Sequence, residues 1–244
     1  MSIDREAIAA KARGWSASVI QFLAAILIVF VAKGAIAEPF YVPSGSMEPT
    51  LLIGDALLAS KYPYGYGTAS LPIQINLAET GRVFGEMPKR GDVVVFRWPG
   101  DNSQAWVKRV VGLPGDRIQM KDGALYINGT AVPRERLADV MGMDACGEGA
   151  GSIKHWRETL DGKSYETLDC VDNGFYDNTN VYTVPPGHFF MMGDNRDNST
   201  DSRVLSQVGY VPIENLVGRA QLIFFSIAEG EHVWMFWRWP TAVR

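Results

Sequence analysis

The 244-residue chain carries 27 acidic and 23 basic side chains, a net charge of −4, and is 47% apolar. That length can bury one large core or two smaller ones, and the apolar share is ordinary for a folded protein. The weakly acidic balance and the lack of a basic cluster give no sign of a polyanion-binding surface, so no nucleic-acid partner is expected.

Residues 1–14 are short and charged, with Arg5, Lys11 and Arg13 against Asp4 and Glu6. Residues 15–32 form the only long apolar run, interrupted by Ser16, Ser18 and Gln21. Eighteen helical residues would span about 27 Å, close to the hydrocarbon thickness of a bilayer. A cleaved signal peptide is one rival, because Ala35-Ile36-Ala37 has the form of a cleavage site. A buried core helix is another, but the run lacks a polar face. We read a retained membrane anchor. The basic residues before it favour a cytoplasmic N-terminus, and Lys33 after it would snorkel to the interface.

Next comes Pro43-Ser44-Gly45-Ser46-Met47-Glu48-Pro49-Thr50. The prolines restrict the backbone and Gly45 permits a close turn, so a serine hydroxyl here can be held in one direction. Alone, the octamer reads better as a juxtamembrane linker. Glu48 is expected to be solvated. Residues 62–67 are aromatic and Gly-rich and predict a loop. A turn signal at 88–92 leads into strands at 93–98 and 106–111, which are rich in β-branched residues. Segments 117–120 and 125–127, with Asn128-Gly129, predict strands meeting at a tight hairpin. Residues 134–180 are polar and weakly periodic and hold both cysteines, Cys146 and Cys170. Strand character returns at 188–192 and at 219–227, separated by the Asp/Asn-rich run 193–203. The tail contains Trp234, Phe236, Trp237 and Trp239, which suits either an interfacial aromatic belt or a packed strand.

The chemistry narrows by elimination. His155, His188 and His232 form no paired-His zinc motif, and no metal is expected. The run from Asp194 fails as a calcium loop, because Arg196, Ser199 and Leu205 occupy the third, sixth and last positions. No phosphate loop and no G-x-S-x-G elbow occurs. A Ser-His-Asp arrangement through His188 stays open. The other available base is Lys108, which alternation places on one strand face with Trp106 and Val110, with Arg109 opposite. Desolvation would lower its pKa toward neutrality. An isolated lysine on such a strand better suits an edge that blunts aggregation.

Four motifs in order settle the reading: Ser44-Gly-Ser46-Met47, Gly91-Asp-Val-Val-Val-Phe96, Lys108-Arg-Val-Val-Gly-Leu-Pro-Gly-Asp116 and Gly193-Asp-Asn-Arg-Asp-Asn-Ser199. Together they resemble bacterial type I signal peptidases, membrane-anchored Ser/Lys proteases that cut signal peptides from exported proteins. The resemblance runs from the anchor to about residue 227. It implies Ser46 as nucleophile and Lys108 as general base, with the Ser44 hydroxyl and the Ser46 N–H as oxyanion hole. It also implies Ser199 as the residue orienting the lysine and Asp201 with Arg203 as a supporting ion pair. Phe40, Val42, Met47, Leu51, Val95 and Val107 match positions lining the substrate pockets. Relatives of the endoplasmic reticulum carry histidine where Lys108 stands, so this chain resembles the bacterial or organellar branch, and its long insert suits the Gram-negative form.

The expected architecture is mainly β: an antiparallel catalytic sheet domain with an inserted smaller β lobe, preceded by one transmembrane helix. Its parts are anchor 1–36, catalytic core 37–115, inserted lobe 116–185, and returning core with aromatic tail 186–244. The expected partners are secretory preproteins with Ala-X-Ala cleavage regions and the lipid bilayer, with no cofactor. The expected location is the bacterial inner membrane, catalytic side to the periplasm, where a Cys146–Cys170 disulfide is favoured. Two rivals share the sequence features. A self-cleaving repressor protease also uses a Ser/Lys pair, and a membrane-tethered β-domain could serve binding alone.

Overall fold

Val93, Val94, Val95 and Phe96 are consecutive and all buried, which happens only when a strand has packing on both faces. Val93 and Val95 enter one core cluster with Val42, Met47, Leu51, Leu57, Ala220 and Ile223. Val94 and Phe96 enter another with Val110, Phe189, Met191 and Leu216. Burying each such side chain stabilises the fold by about 1.5–3 kcal/mol.

The computed structural model describes residues 18–29, 31, 34, 36–70, 82, 84–141, 146–147, 151–227, 238 and 240–243. The expectations for Arg5, Lys11, Arg13, Lys33, His232 and the aromatic residues Trp234, Phe236, Trp237 and Trp239 lie outside the described residues. Residues 18–29 are helical, with exposed apolar side chains that include Ile20, Phe22 and Leu27. Among the described residues no helix is long and apolar enough to cross a membrane.

The strands are β1 (Ala37–Tyr41), β2 (Asp55–Ser60), β3 (Val93–Arg97), β4 (Ala105–Gly112), β5 (Arg117–Lys121), β6 (Ala124–Ile127), β7 (Thr130–Ala131) and β8 (Arg134–Arg136). They continue with β9 (Val140–Met141), β10 (Ser152–Leu160), β11 (Lys163–Asp169), β12 (Tyr182–Thr183), β13 (His188–Met192), β14 (Val211–Pro212), β15 (Leu216–Ser226) and β16 (Thr241–Ala242). The largest sheet runs β1-β2-β15-β3-β4-β13-β14, with β16 against β15. Two smaller sheets run β11-β10-β8, with β9 on β10, and β12-β5-β6-β7. Among the described residues the named strands pair antiparallel, so the mainly β expectation holds.

Three two-residue hairpin turns, Asp122-Gly123, Asn128-Gly129 and Asp161-Gly162, have positive φ at both positions. That is the geometry whose twist matches paired strands. The smaller sheets take all their strands from residues 117–183. One of them packs Ile118, Met120 and Leu125 against Val111, Phe190 and Met192 of the large sheet. Cys146 is bonded to Cys170, with a Cα–Cα distance of 5.7 Å, beside buried Ile153 and Leu168.

Candidate active site

Ser46 sits in a 3₁₀ turn (Gly45–Met47) between two prolines. The excursion is closed at its neck, because Val42 N–H donates to Asp55 O (2.8 Å) and Gly54 N–H donates to Val42 O (3.0 Å). Met47 and Leu51 anchor it by pointing into the core. Glu48 is buried, which corrects the expectation of a solvated charge. The turn folds back so that its carboxylate covers Gly45, where an added Cβ would stand 3.1 Å from it.

Lys108 projects from β4, paired with Val94 of β3, and is only 4% exposed. Its Nζ is 2.5 Å from Ser46 Oγ and 5.7 Å from the Trp106 ring centre. Burial lowers the Lys108 pKa to about 8, Asp201 and Asp194 oppose that shift, and Arg203 adds to it. Ser44 Oγ lies 3.5 Å from Ser46 Oγ.

The loop after β13 forms the third side. Asn195 N–H donates to Ser46 O (3.2 Å). Asp201 accepts from Gly193 N–H (3.0 Å) and pairs with Arg203 through two contacts of 2.8 and 2.9 Å. The Ser199 hydroxyl is buried in this wall, but among the described residues its Oγ has no hydrogen-bond partner and makes no bond to Lys108. Gly193 has no space for a side chain, since a Cβ would stand 2.2 Å from Ser199 Oγ and 2.4 Å from Ser46 O.

A cavity of about 600 Å³ opens over Ser44, Ser46, Lys108 and Ser199. Phe40, Val95 and Val107 line it, together with Leu57. Val42, Met47 and Leu51 do not reach its wall; they lie in the core cluster directly behind it. Tyr176 and Asp197 complete the polar side. His188 is away from this cavity, with Nδ1 2.9 Å from Pro186 O.

Sequence reasoning missed what Arg109 does. It faces opposite to Lys108, fully buried, and grips Asp194 through Nε (2.7 Å) and Nη2 (2.6 Å). Thr50 Oγ1 donates to the same carboxylate (2.5 Å). The only advance signal was a second cation inside an apolar strand, which needs a buried partner.

The family model described as "Signal peptidase, peptidase S26" matches residues 15–225. Signal peptidase I of Rickettsia typhi is 44% identical over 214 residues, covering 84% of this chain and 78% of that protein. Signal peptidase I of Rickettsia akari is 40% identical over 226 residues, covering 89% and 80%. A crystal structure of a signal peptidase I from Enterococcus faecalis is 27% identical and covers 55% of this chain and 97% of its own, with a TM-score of 0.31. With the family model covering most of its length and relatives at these identities, the chain belongs to the peptidase S26 family of signal peptidases and is an endopeptidase.

Proposed function

We propose that the chain is a membrane-bound serine endopeptidase that removes signal peptides from exported preproteins with a Ser46–Lys108 dyad. The 2.5 Å contact between Lys108 Nζ and Ser46 Oγ, in surroundings that favour neutral lysine, carries the reading. Neutral Nζ takes the proton of the Ser46 hydroxyl as Oγ attacks the scissile carbonyl carbon. The Ser44 hydroxyl and the Ser46 N–H stabilise the oxyanion that develops. The protonated lysine then passes its proton to the leaving amine, which departs with the mature chain. Water, deprotonated by the same lysine, hydrolyses the acyl-enzyme and frees the signal peptide. Asp201 and Arg203 would hold the loop against this pair, and Ser199 would turn its free hydroxyl to the lysine when substrate excludes water.

Strand pairing supports extended substrate binding. β3 flanks β4 along Val93–Arg97, whereas β13 joins its other side only from Arg109 onward. Residues 105–108 of β4 therefore keep one open edge beside the catalytic lysine, where a substrate strand can add. Successive side chains alternate, so −1 and −3 would point together at Phe40, Leu57, Val95 and Val107, and −2 away. Residues 116–185 act in this reading as a lobe inserted into the catalytic unit. The exposed apolar helix at 18–29 supports anchoring, since such a surface needs lipid or protein cover. The disulfide suits a periplasmic catalytic side.

Detergent-solubilised full-length protein incubated with a secretory preprotein, followed by mass mapping of the cut, tests the reading. Cleavage is expected after Ala-X-Ala. In a peptide library, Phe or Lys at −1 should reduce kcat/KM on the order of 100-fold, while most residues at −2 are tolerated. Efficient cutting after bulky or charged −1 residues would refute the pocket assignment.

The base also sets a pH dependence. Lys108 acts only when deprotonated, so kcat/KM should climb about tenfold per pH unit below roughly 8 and level off above it. A profile already flat from pH 5 to 9 would exclude Lys108 as the titrating base.

A further inference from the structure

The dyad is built on the large sheet, yet its loop is clamped from a different sheet. β10 and β11 form a hairpin across Asp161-Gly162, with Glu158 opposite Tyr165. Glu158 is 2% exposed. It accepts from Arg196 at both carboxylate oxygens (2.8 and 2.6 Å) and from the Tyr165 hydroxyl (2.7 Å). The Tyr165 ring lies 4.0 Å from the Arg109 guanidinium, which grips Asp194 and with it Thr50. The hairpin also holds the loop by its backbone, Leu168 N–H to Asp194 O (3.0 Å) and Arg196 N–H to Leu168 O (2.9 Å). Arg196 O in turn accepts from Arg203 Nη2 (2.6 Å). Two cations and two anions thus compensate one another out of water, with one end at Lys108's neighbour and the other at the loop that carries Ser199.

We infer that Glu158 is a positioning residue for the Ser46–Lys108 site, tying the β10–β11 hairpin to the loop that completes it. The inference rests on the dyad reading above. Glu158 does not line the cavity, and neither do its hydrogen-bond partners Arg196 and Tyr165, so substrate contact does not explain an effect on turnover. Its role follows from charge. An unpaired buried guanidinium is strongly unfavourable. After the Glu158 carboxylate, Asp194 is the anion whose charge acts most on Arg196. Drawing Asp194 toward Arg196 loosens its grip on Arg109 and Thr50, the neighbours of Lys108 and of the Ser46 turn.

The test uses full-length protein and a preprotein, with wild type and Ser46→Ala as references. Glu158→Gln should lower kcat by about 10- to 100-fold with KM within about twofold, because misplacement at the reacting atoms costs turnover and not binding. Glu158→Asp should recover part of that kcat by restoring a carboxylate. Wild-type kcat in Glu158→Gln, a matching rise in KM, or no gain from Asp over Gln would overturn the inference. Should Glu158→Gln fail to fold, Tyr165→Phe replaces it. Losing one hydroxyl donor should lower kcat about threefold at unchanged KM, and unchanged kcat would overturn the inference. Wild-type protein that cuts no preprotein would instead sink the proposed function.

Discussion

Ser46→Ala should reduce kcat on a preprotein by about 10⁴-fold or more, with the fold and the thermal midpoint nearly unchanged. The substitution deletes one hydroxyl whose contacts are Lys108 Nζ and Ser44 Oγ, and it leaves the turn's backbone bonds intact. At about 1.4 kcal/mol per factor of ten, the loss amounts to roughly 5 kcal/mol of transition-state stabilisation. Lys108→Arg should be equally inactive for another reason. Guanidinium stays protonated at any working pH and cannot accept the serine proton. Time courses at matched enzyme concentration, with the product identified by mass, would measure both. Turnover near wild type in either variant would require a different nucleophile or base.

The second large effect comes from the smallest side-chain change. Gly193→Ala should lower kcat by about 100-fold, because the methyl group has nowhere to go. One obstacle, Ser199 Oγ at 2.2 Å, could rotate aside, but Ser46 O at 2.4 Å is backbone and cannot. The loop after β13 must therefore retreat from the Ser46 turn, breaking the register in which Asn195 N–H meets Ser46 O. Gly193 has no left-handed backbone requirement, so strain at φ is not the cause. Overpacking should also cost about 1–3 kcal/mol of stability. Progress curves with a denaturant titration of the same sample separate the two losses. Full activity at lowered stability would show that the loop can move without disturbing Ser46.

Legibility in the sequence followed the kind of signal each element leaves. β3 and β4 were readable because buried strands are rich in β-branched residues, and Val93, Val94 and Val95, then Val107, Val110 and Val111, supply them. β10 and β11 were not, because Lys154, His155, Arg157 and Glu158 on one strand and Lys163, Glu166 and Asp169 on the other mask the apolar alternation. The Asp161-Gly162 pair, a strong hairpin signal, was available and would have placed the turn. β1 escaped notice because Pro39 interrupts it, which an edge strand tolerates. Ser46 and Lys108 lie 62 residues apart, and only a family resemblance could join them before the fold was known. The Arg109–Asp194 grip spans 85 residues and left no local trace. Glu48 was misjudged because a charge two residues from Ser46 reads as exposed until the turn is seen to fold over it.

The place of β15 in the large sheet has a temporal consequence. It is drawn from residues 216–226, yet it lies between β2, which follows the Ser46 turn, and β3, which precedes the lysine strand. Chains are synthesised from the N-terminus, and long-range strand pairing is slow to form. A nascent chain therefore carries Ser46 and Lys108 for more than a hundred residues of synthesis with no central strand to hold their two halves in register. The contact between Ser46 and Lys108 should therefore form late, on the insertion of one strand.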